Sequence, residues 1–188
     1  DKFLQIADRT FCDSKKAGQV AAVIINFEEL FELDCIFGHS VVDSILNEAA
    51  NRLVESLPEK DSVGFFGRYQ LACLLPNLSN PMQAELAGHK IIRVYSLPFI
   101  HGKHRIIISV RVGIALYNPN QTDSAELFRQ AHSAMNRASR DRVSLKIYSP
   151  AIDKFLISEL GLLSDFEKAI KESRLFLTYQ PQLNVQTG

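Results

Sequence analysis

Residues 63–76, Val63-Gly64-Phe65-Phe66-Gly67-Arg68-Tyr69-Gln70-Leu71-Ala72-Cys73-Leu74-Leu75-Pro76, decide the fold. Two short apolar runs, 63–66 and 71–75, flank a four-residue tip, which predicts a β-hairpin with Gly67 in its turn and Pro76 closing the second strand. A lone hairpin is marginal in water, so its neighbours decide which sheet it joins. Upstream, Val20-Ala21-Ala22-Val23-Ile24-Ile25 is a continuous, partly β-branched apolar run. That pattern belongs to a strand covered on both faces and predicts the centre of the sheet.

The stretches around these strands read mostly as helices. From 41 to 57, Val41, Val42, Ile45, Leu46, Ala49, Ala50, Leu53, Val54 and Leu57 recur with a 3.6 period, and Pro58 stops the run. Phe3, Leu4, Ala7 and Phe11 predict an N-terminal helix over 1–17 ahead of Gly18, and residues 81–97 have helical character. Pro98-Phe99-Ile100 opens a strand that His101-Gly102-Lys103-His104 turns back. The returning strand sets Ile106, Ile108, Val110, Val112, Ile114 and Leu116 against Ile107, Ser109, Arg111, Gly113 and Ala115. Asp123 or Ser124 caps a helix carrying Leu127, Phe128, Ala131, Ala134, Met135 and Ala138, and residues 145–148 form a last strand. After Ser149-Pro150, an amphipathic helix over 151–172 precedes a strand-like run at 175–179. The expected fold is α+β: a mostly antiparallel central sheet with helices on both faces.

Composition narrows the function classes. With 188 residues, 46% apolar, 22% charged, 9 Gly and 7 Pro, the chain has one packed domain plus a smaller piece and excludes disordered or collagenous classes. Lys+Arg 21 balances Asp+Glu 21, so there is no basic stripe and no nucleic-acid partner is expected. Cys12, Cys35 and Cys73 are an odd, widely spaced set, which predicts free thiols in a reducing, cytoplasmic setting. The longest apolar run, residues 20–25, is far short of the roughly 18–20 residues a span needs. No membrane contact by this stretch follows, although a longer parent could be anchored. The lack of an initiating Met predicts an excised piece.

Asp34-x4-His39-x3-Asp43, within Phe37-Gly38-His39-Ser40-Val41-Val42-Asp43, followed by the hairpin above and by Val112-Gly113-Ile114-Ala115-Leu116-Tyr117, resembles the GGDEF family of diguanylate cyclases over roughly 10–148. These stretches look like that family's LGHxxGD and SIGIALY motifs, with the hairpin tip in place of Gly-Gly-Asp/Glu-Glu-Phe. The resemblance implies a nucleotidyl-cyclase-like fold. The tail, 164–188, ending Tyr179-Gln180-Pro181-Gln182-Leu183-Asn184-Val185-Gln186-Thr187-Gly188, looks like the opening of EAL-type cyclic di-GMP phosphodiesterases, but no Glu-Ala-Leu follows. The implied division is a degenerate GGDEF domain over 1–149, a linker helix over 150–173 and a truncated first EAL strand over 174–188. An adjacent EAL domain of the same chain is the implied partner, with a homodimer as a further one.

The resemblance also says what the chemistry needs. Joining two GTP molecules by attack of a 3′-hydroxyl on an α-phosphate depends on positioning and on Mg²⁺, which takes hard, preferably anionic oxygens. The family's acidic positions fall on Asn26, Tyr69 and Gln70, and its tip reads Gly67-Arg68-Tyr69-Gln70-Leu71. A phenol of ordinary pKa near 10 is a poor Mg²⁺ ligand and no base at neutral pH. If each lost carboxylate costs about 3 kcal/mol, two slow the reaction on the order of 10⁴-fold. The sequence therefore implies no catalytic residue, no metal, and GTP or Mg²⁺ only if the vestigial site still binds.

The candidate nucleotide-binding residues implied are Phe27 and Leu30 as walls, Asp34 and Asp43 for guanine, and Gly67 and Arg68 at the phosphates. Arg68 either blocks the approach a second glycine would allow or grips a phosphate itself. The family's phosphate-binding Lys falls on Ser139, with Arg140 and Arg142 close by, and its inhibitory R-x-x-D reads Pro58-Glu59-Lys60-Asp61, so no inhibitory site is expected. Each residue also has an ordinary reading: Asp34 caps a turn, Asp43 suits a helix start, Phe27 and Leu30 pack the core, and Arg68 is a solvated turn. His101 and His104 lack further ligands for a metal, and Cys73 reads as a buried small hydrophobe. Glu28, Glu29 and Glu32 make the segment after Asn26 acidic, which would repel a triphosphate. The leading expectation is an inactive regulatory or interaction domain of a bacterial cyclic di-GMP signalling protein. The alternatives are a GTP-binding domain that activates an adjacent EAL phosphodiesterase, and a weak cyclase using Asp34, Asp43 and waters.

Overall fold

The computed structural model describes residue 8 and residues 19–57, 63–117, 123–174, 176 and 178. In chain order its elements are β1 (Gln19–Phe27), α1 (Leu30–Phe37), α2 (His39–Ser56), β2 (Val63–Phe65), β3 (Gln70–Leu78), α3 (Pro81–Tyr95), β4 (Phe99–His101), β5 (His104–Ile106), β6 (Val110–Leu116), α4 (Ser124–Arg140), β7 (Leu145–Ile147) and α5 (Pro150–Lys171). Two compact units divide it, Asp1–Ile152 and Asp153–Gly188. The first holds the sheet and the core.

A five-stranded sheet runs in the order β2-β3-β1-β6-β7. Every pair is antiparallel except β6–β7, which α4 joins in parallel. Residues 20–25 are fully buried, as a two-faced central strand requires. Ala21, Val23, Ile25 and Phe27 point into one layer with Ile45, Leu53 and Ile91 of α2 and α3. Val20, Ala22 and Ile24 point the other way, against Leu127, Phe128, Ala131 and Met135 of α4. Period-2 alternation in one strand thus feeds two layers, and the expected helix–sheet–helix arrangement is present. α4 lies directly on Gly113, where a Cβ would fall 2.2 Å from the Ala131 carbonyl oxygen and the Met135 amide nitrogen. Only glycine admits that approach.

The starts of α3 and α4 follow the capping rule. Asp123 accepts from the Glu126 amide at 3.0 Å. Asn80 accepts from Gln83 N–H at 3.2 Å while the Gln83 side chain accepts from Ser79 N–H at 2.8 Å, a reciprocal box ahead of Pro81.

Two strand boundaries differ from the sequence reading. The strand returning from the 101–104 turn breaks at 107–109: β5 pairs with β4 in a separate two-stranded ribbon, and β6 joins β1. Ser109 is the junction, its N–H donating to Glu29 Oε2 at 2.6 Å and its carbonyl accepting from Glu28 N–H at 3.1 Å. Alternation of Ile106, Ile108 and Val110 survives because one buried face continues while the pairing partner changes. The second hairpin strand also does not close at Pro76. β3 runs to Leu78 because the register against β1 slips there, Ala21 facing Leu75 and Gln19 facing Leu78, with Asn77 at φ 57°. A bulge tolerates a proline that donates no hydrogen bond. The helix expected over 1–17 and the strand expected over 175–179 lie outside the described residues, apart from Asp8, Phe176 and Thr178.

Candidate functional site

The tip between β2 and β3 folds over the end of β1. Gly67 sits at φ 74°, a left-handed conformation that glycine adopts without penalty, so the loop closes with Phe66 N–H donating to the Gln70 carbonyl at 2.9 Å. Phe27 N–H donates to the Tyr69 carbonyl at 3.2 Å and fixes the tip against the central strand.

At the foot of the tip, Asn26 faces Gln70 across β1–β3 and Arg111 across β1–β6. The Gln70 amide donates to Asn26 Oδ1 at 3.1 Å. Arg111 pairs its Nη2 with Glu28 Oε2 at 2.7 Å, and its buried Nε has no partner among the described residues. A row of amide, amide and guanidinium therefore crosses three strands. The Asn26 and Gln70 oxygens are neutral, Asn26 Oδ1 is taken up by the Gln70 amide, and the guanidinium beside them is paired with Glu28. This donor set does not fit Mg²⁺, which wants anionic oxygens in octahedral geometry. Among the described residues no group of three His, Cys, Asp or Glu side chains forms a metal cluster.

The second centre is Asp34, late in α1, whose side chain is 6% exposed. Tyr69 Oη donates to its Oδ2 at 2.7 Å, and Arg68 Nη2 donates to the same oxygen at 2.8 Å. His39 Nδ1, on the first residue of α2, meets Oδ1. With Nδ1–H turned to the carboxylate, the 2.9 Å approach of Arg68 Nη2 to Nδ1 is a contact and not a second bond. The Tyr69 hydrogen bond, then His39 and Arg68, hold the Asp34 carboxyl below the usual carboxylate range against the opposing effect of burial. The same bond raises the Tyr69 phenol. Asp34, Asp43, His39, Val42, Arg68 and Tyr69 line a cleft of about 260 Å³.

The remaining sequence candidates are scattered. Phe27 and Leu30 are 1% and 0% exposed, and the Phe27 ring meets Tyr95 edge-on at 5.0 Å. Both sit inside the helix–sheet layer and present no open wall. Asp34 caps no helix start: its carbonyl accepts from Gly38 N–H and its side chain faces the tip. Asp43 is exposed on α2 at the rim of the cleft. Ser139 lies in the last turn of α4, Arg140 is exposed, and Arg142 follows at φ 54°. His101 and His104 face each other across the β4–β5 ribbon. Cys73 is fully buried and burial pushes its thiol up to about 12, an inert state. Pro58 and Asp61 lie outside the described residues. His39 as a partner of Asp34 and Arg111 as a neighbour of Asn26 were not read as site residues. The signal for Arg111 was a lone charge on the less apolar face of an alternating strand.

This arrangement is that of a nucleotide-cyclase-type sheet with its hairpin tip over the central strand. The family described as "Diguanylate cyclase, GGDEF domain" matches residues 2–143, and the chain belongs to it. "Signaling protein YkoW" of Bacillus subtilis is 30% identical over 151 residues, covering 79% of this chain and 19% of that protein. "Bifunctional diguanylate cyclase/cyclic di-GMP phosphodiesterase MucR" of Pseudomonas aeruginosa is 24% identical over 189 residues, 100% of this chain and 27% of MucR. The chain thus spans roughly a quarter or less of the curated relatives it matches. Among solved structures, the GGDEF domain of PA1120 (YfiN or TpbB) from Pseudomonas aeruginosa superposes with a TM-score of 0.72 at 27% identity, over 78% of this chain and 93% of that one.

Proposed function

We propose that this GGDEF domain does not make cyclic di-GMP and acts as a regulatory or interaction module of a larger cyclic di-GMP signalling protein. The supporting observation is the Asn26–Gln70 amide pair, 3.1 Å apart, at the foot of the tip, with Arg111 beside it. A site that must neutralise triphosphate charge with metal instead offers neutral amides, and the Asn26 oxygen is spent on an internal hydrogen bond. Tyr69 adds to this: its hydroxyl donates to Asp34 and its pKa is raised, so it offers neither a ligand nor a base at neutral pH.

The domain division that suits this reading is a GGDEF domain over 1–149, a connecting helix over 150–173 and the start of an EAL domain over 174–188, with that EAL domain as the coupled partner. MucR, which carries both activities in its name, supports the pairing by similarity. Incubation with GTP and Mg²⁺ or Mn²⁺ tests it: no cyclic di-GMP above a protein-free control is expected, and sustained turnover overturns it. Calorimetry with GTP then separates a purely structural module from one that binds GTP and activates a phosphodiesterase by linkage.

A further inference from the structure

Charge is unevenly spread along this neutral chain. Between Asp61 and Asp123 the one acidic residue is Glu85, while Arg68, Lys90, Arg93, Lys103, Arg105 and Arg111 are basic. Segregation of this kind matters where the fold exposes it. Arg68 and Arg111 are engaged by Asp34 and Glu28, and the Lys90 ammonium donates to the Ser56 carbonyl at 2.6 Å. Arg93, Lys103 and Arg105 are exposed, and their side chains make no ion pair or hydrogen bond among the described residues.

Two of these three cations lie on the β4–β5 ribbon, outside the main sheet. Phe99 pairs with Ile106 and Ile100 with Arg105, and paired residues share a face. Phe99 is fully buried and Ile106 packs against the same core, so their face is the inward one. Ile100 and Arg105 therefore point outward, and Ile107, between the inward Ile106 and the buried Ile108, does so too. Ile100 is 59% exposed and Ile107 74%. Gly102, at φ 58°, makes the turn that sets Lys103 at the tip. The outward face thus joins two large β-branched side chains to two unpaired cations, and the ribbon carries no acid.

This face alone is too small for a specific protein partner. Each strand has three residues, which at about 3.3 Å per residue and about 4.8 Å between strands gives a face on the order of 100 Å². A specific interface buries roughly 800 Å² per partner. A bilayer asks for less: apolar side chains that enter the headgroup boundary, and Lys or Arg that meet lipid phosphate. The expectation of no membrane contact rested on the lack of a span. Among the described residues no helix is long and apolar enough to cross a membrane, but a peripheral contact needs no such helix.

We propose that the outward face of the β4–β5 ribbon docks on an anionic lipid bilayer, Ile100 and Ile107 entering the headgroup boundary while Lys103 and Arg105 meet lipid phosphates. The contact is independent of any chemistry at the hairpin tip.

The experiment is co-sedimentation of the whole chain with vesicles of phosphatidylcholine alone, or of phosphatidylcholine mixed equally with phosphatidylglycerol. The chain should pellet with the mixed vesicles, release as salt rises, and stay in solution with phosphatidylcholine alone. Lys103→Glu/Arg105→Glu should bind at least about tenfold more weakly. Ile100→Ser/Ile107→Ser should also lose binding although every charge is kept. All four positions are exposed, so both variants should melt with the parent. The chain has no tryptophan, which makes Ile107→Trp a single fluorophore. Its emission should shift to the blue on the mixed vesicles and be quenched by lipids brominated on the acyl chain. Equal binding by the parent and the charge-reversed variant overturns the proposal, as does Ile107→Trp emission that vesicles leave unmoved. Absence of vesicle binding by the parent overturns it too, and self-association lost in Ile100→Ser/Ile107→Ser would then assign the face to a second copy of the chain.

Discussion

Asp34 sets the chemistry of the tip at the scale of a single residue. Its carboxyl lies below its ordinary pKa, so the stabilisation it gives is complete above the unfolded value near 3.9 and disappears as pH falls through the lower folded value. Tyr69 has the opposite sign: raised in the fold, it contributes fully below about 10 and loses that contribution as pH rises through its folded value. The two limbs bracket neutral pH, where both bonds stand. Asp34→Asn should therefore flatten the stability profile at both ends and return the Tyr69 phenol toward its usual pKa. Denaturant midpoints across pH and the Tyr69 Cζ chemical shift measure this, and an unchanged Tyr69 titration would contradict the assigned bond. The sequence showed that Asn26, Tyr69 and Gln70 were neutral, because identity is local. It did not show that Arg68 and Tyr69 both turn onto Asp34, because those contacts span 34 and 35 residues. Charge type is written in the chain, and pairing is decided by packing.

Individual elements owe their positions to a few close fits. Gly113 lets α4 seat on β6, and Gly113→Ala would drive a Cβ into the Ala131 carbonyl and the Met135 backbone, both at 2.2 Å. Backbone cannot yield as a side chain does, so the loss should reach or exceed the roughly 1–3 kcal/mol typical of overpacking, read as a lower urea midpoint. Arg52 does comparable work on the opposite layer. Its guanidinium donates to the Leu97 and Pro98 carbonyls, each at 2.8 Å, and covers the Phe99 ring at 4.1 Å, tying α2 to the start of β4. Arg52→Ala should cost about 2 kcal/mol, and Arg52→Lys should recover only part because one ammonium cannot serve both carbonyls and the ring. Elements with strong periodicity, β1 and α2, were legible in the sequence, as was the hairpin from its glycine and flanking runs. The break at 107–109 was not, since alternation records which face is buried and is silent on which strand pairs alongside. Pro76 misled for a related reason: a strand-ending residue is also a bulge residue, and the register of β1 decides between them.

Across the whole molecule, stability should reside in the first unit. The two clusters that line the sheet draw every member from residues between 20 and 148, and the last buried apolar side chain among the described residues is Ile152. Beyond it, Leu162, Phe166 and Ile170 expose 64%, 55% and 53% of their surface within α5. Apolar burial dominates folding free energy at roughly 25 cal/mol per Å², and these exposed side chains predict a small contribution of α5 to the cooperative stability of the sheet unit. A chain ending after Ile152 should melt within about 2 °C of the full chain, a change of well under 1 kcal/mol, since 1 kcal/mol shifts a domain of this size by about 2–4 °C. Hydrogen exchange should agree, with amides of β1, β3 and β6 opening at the global free energy and those of α5 far more easily. If truncation instead lowers the melting temperature by ten degrees or more, α5 belongs to the cooperative unit and cannot be a separable connection to whatever follows it.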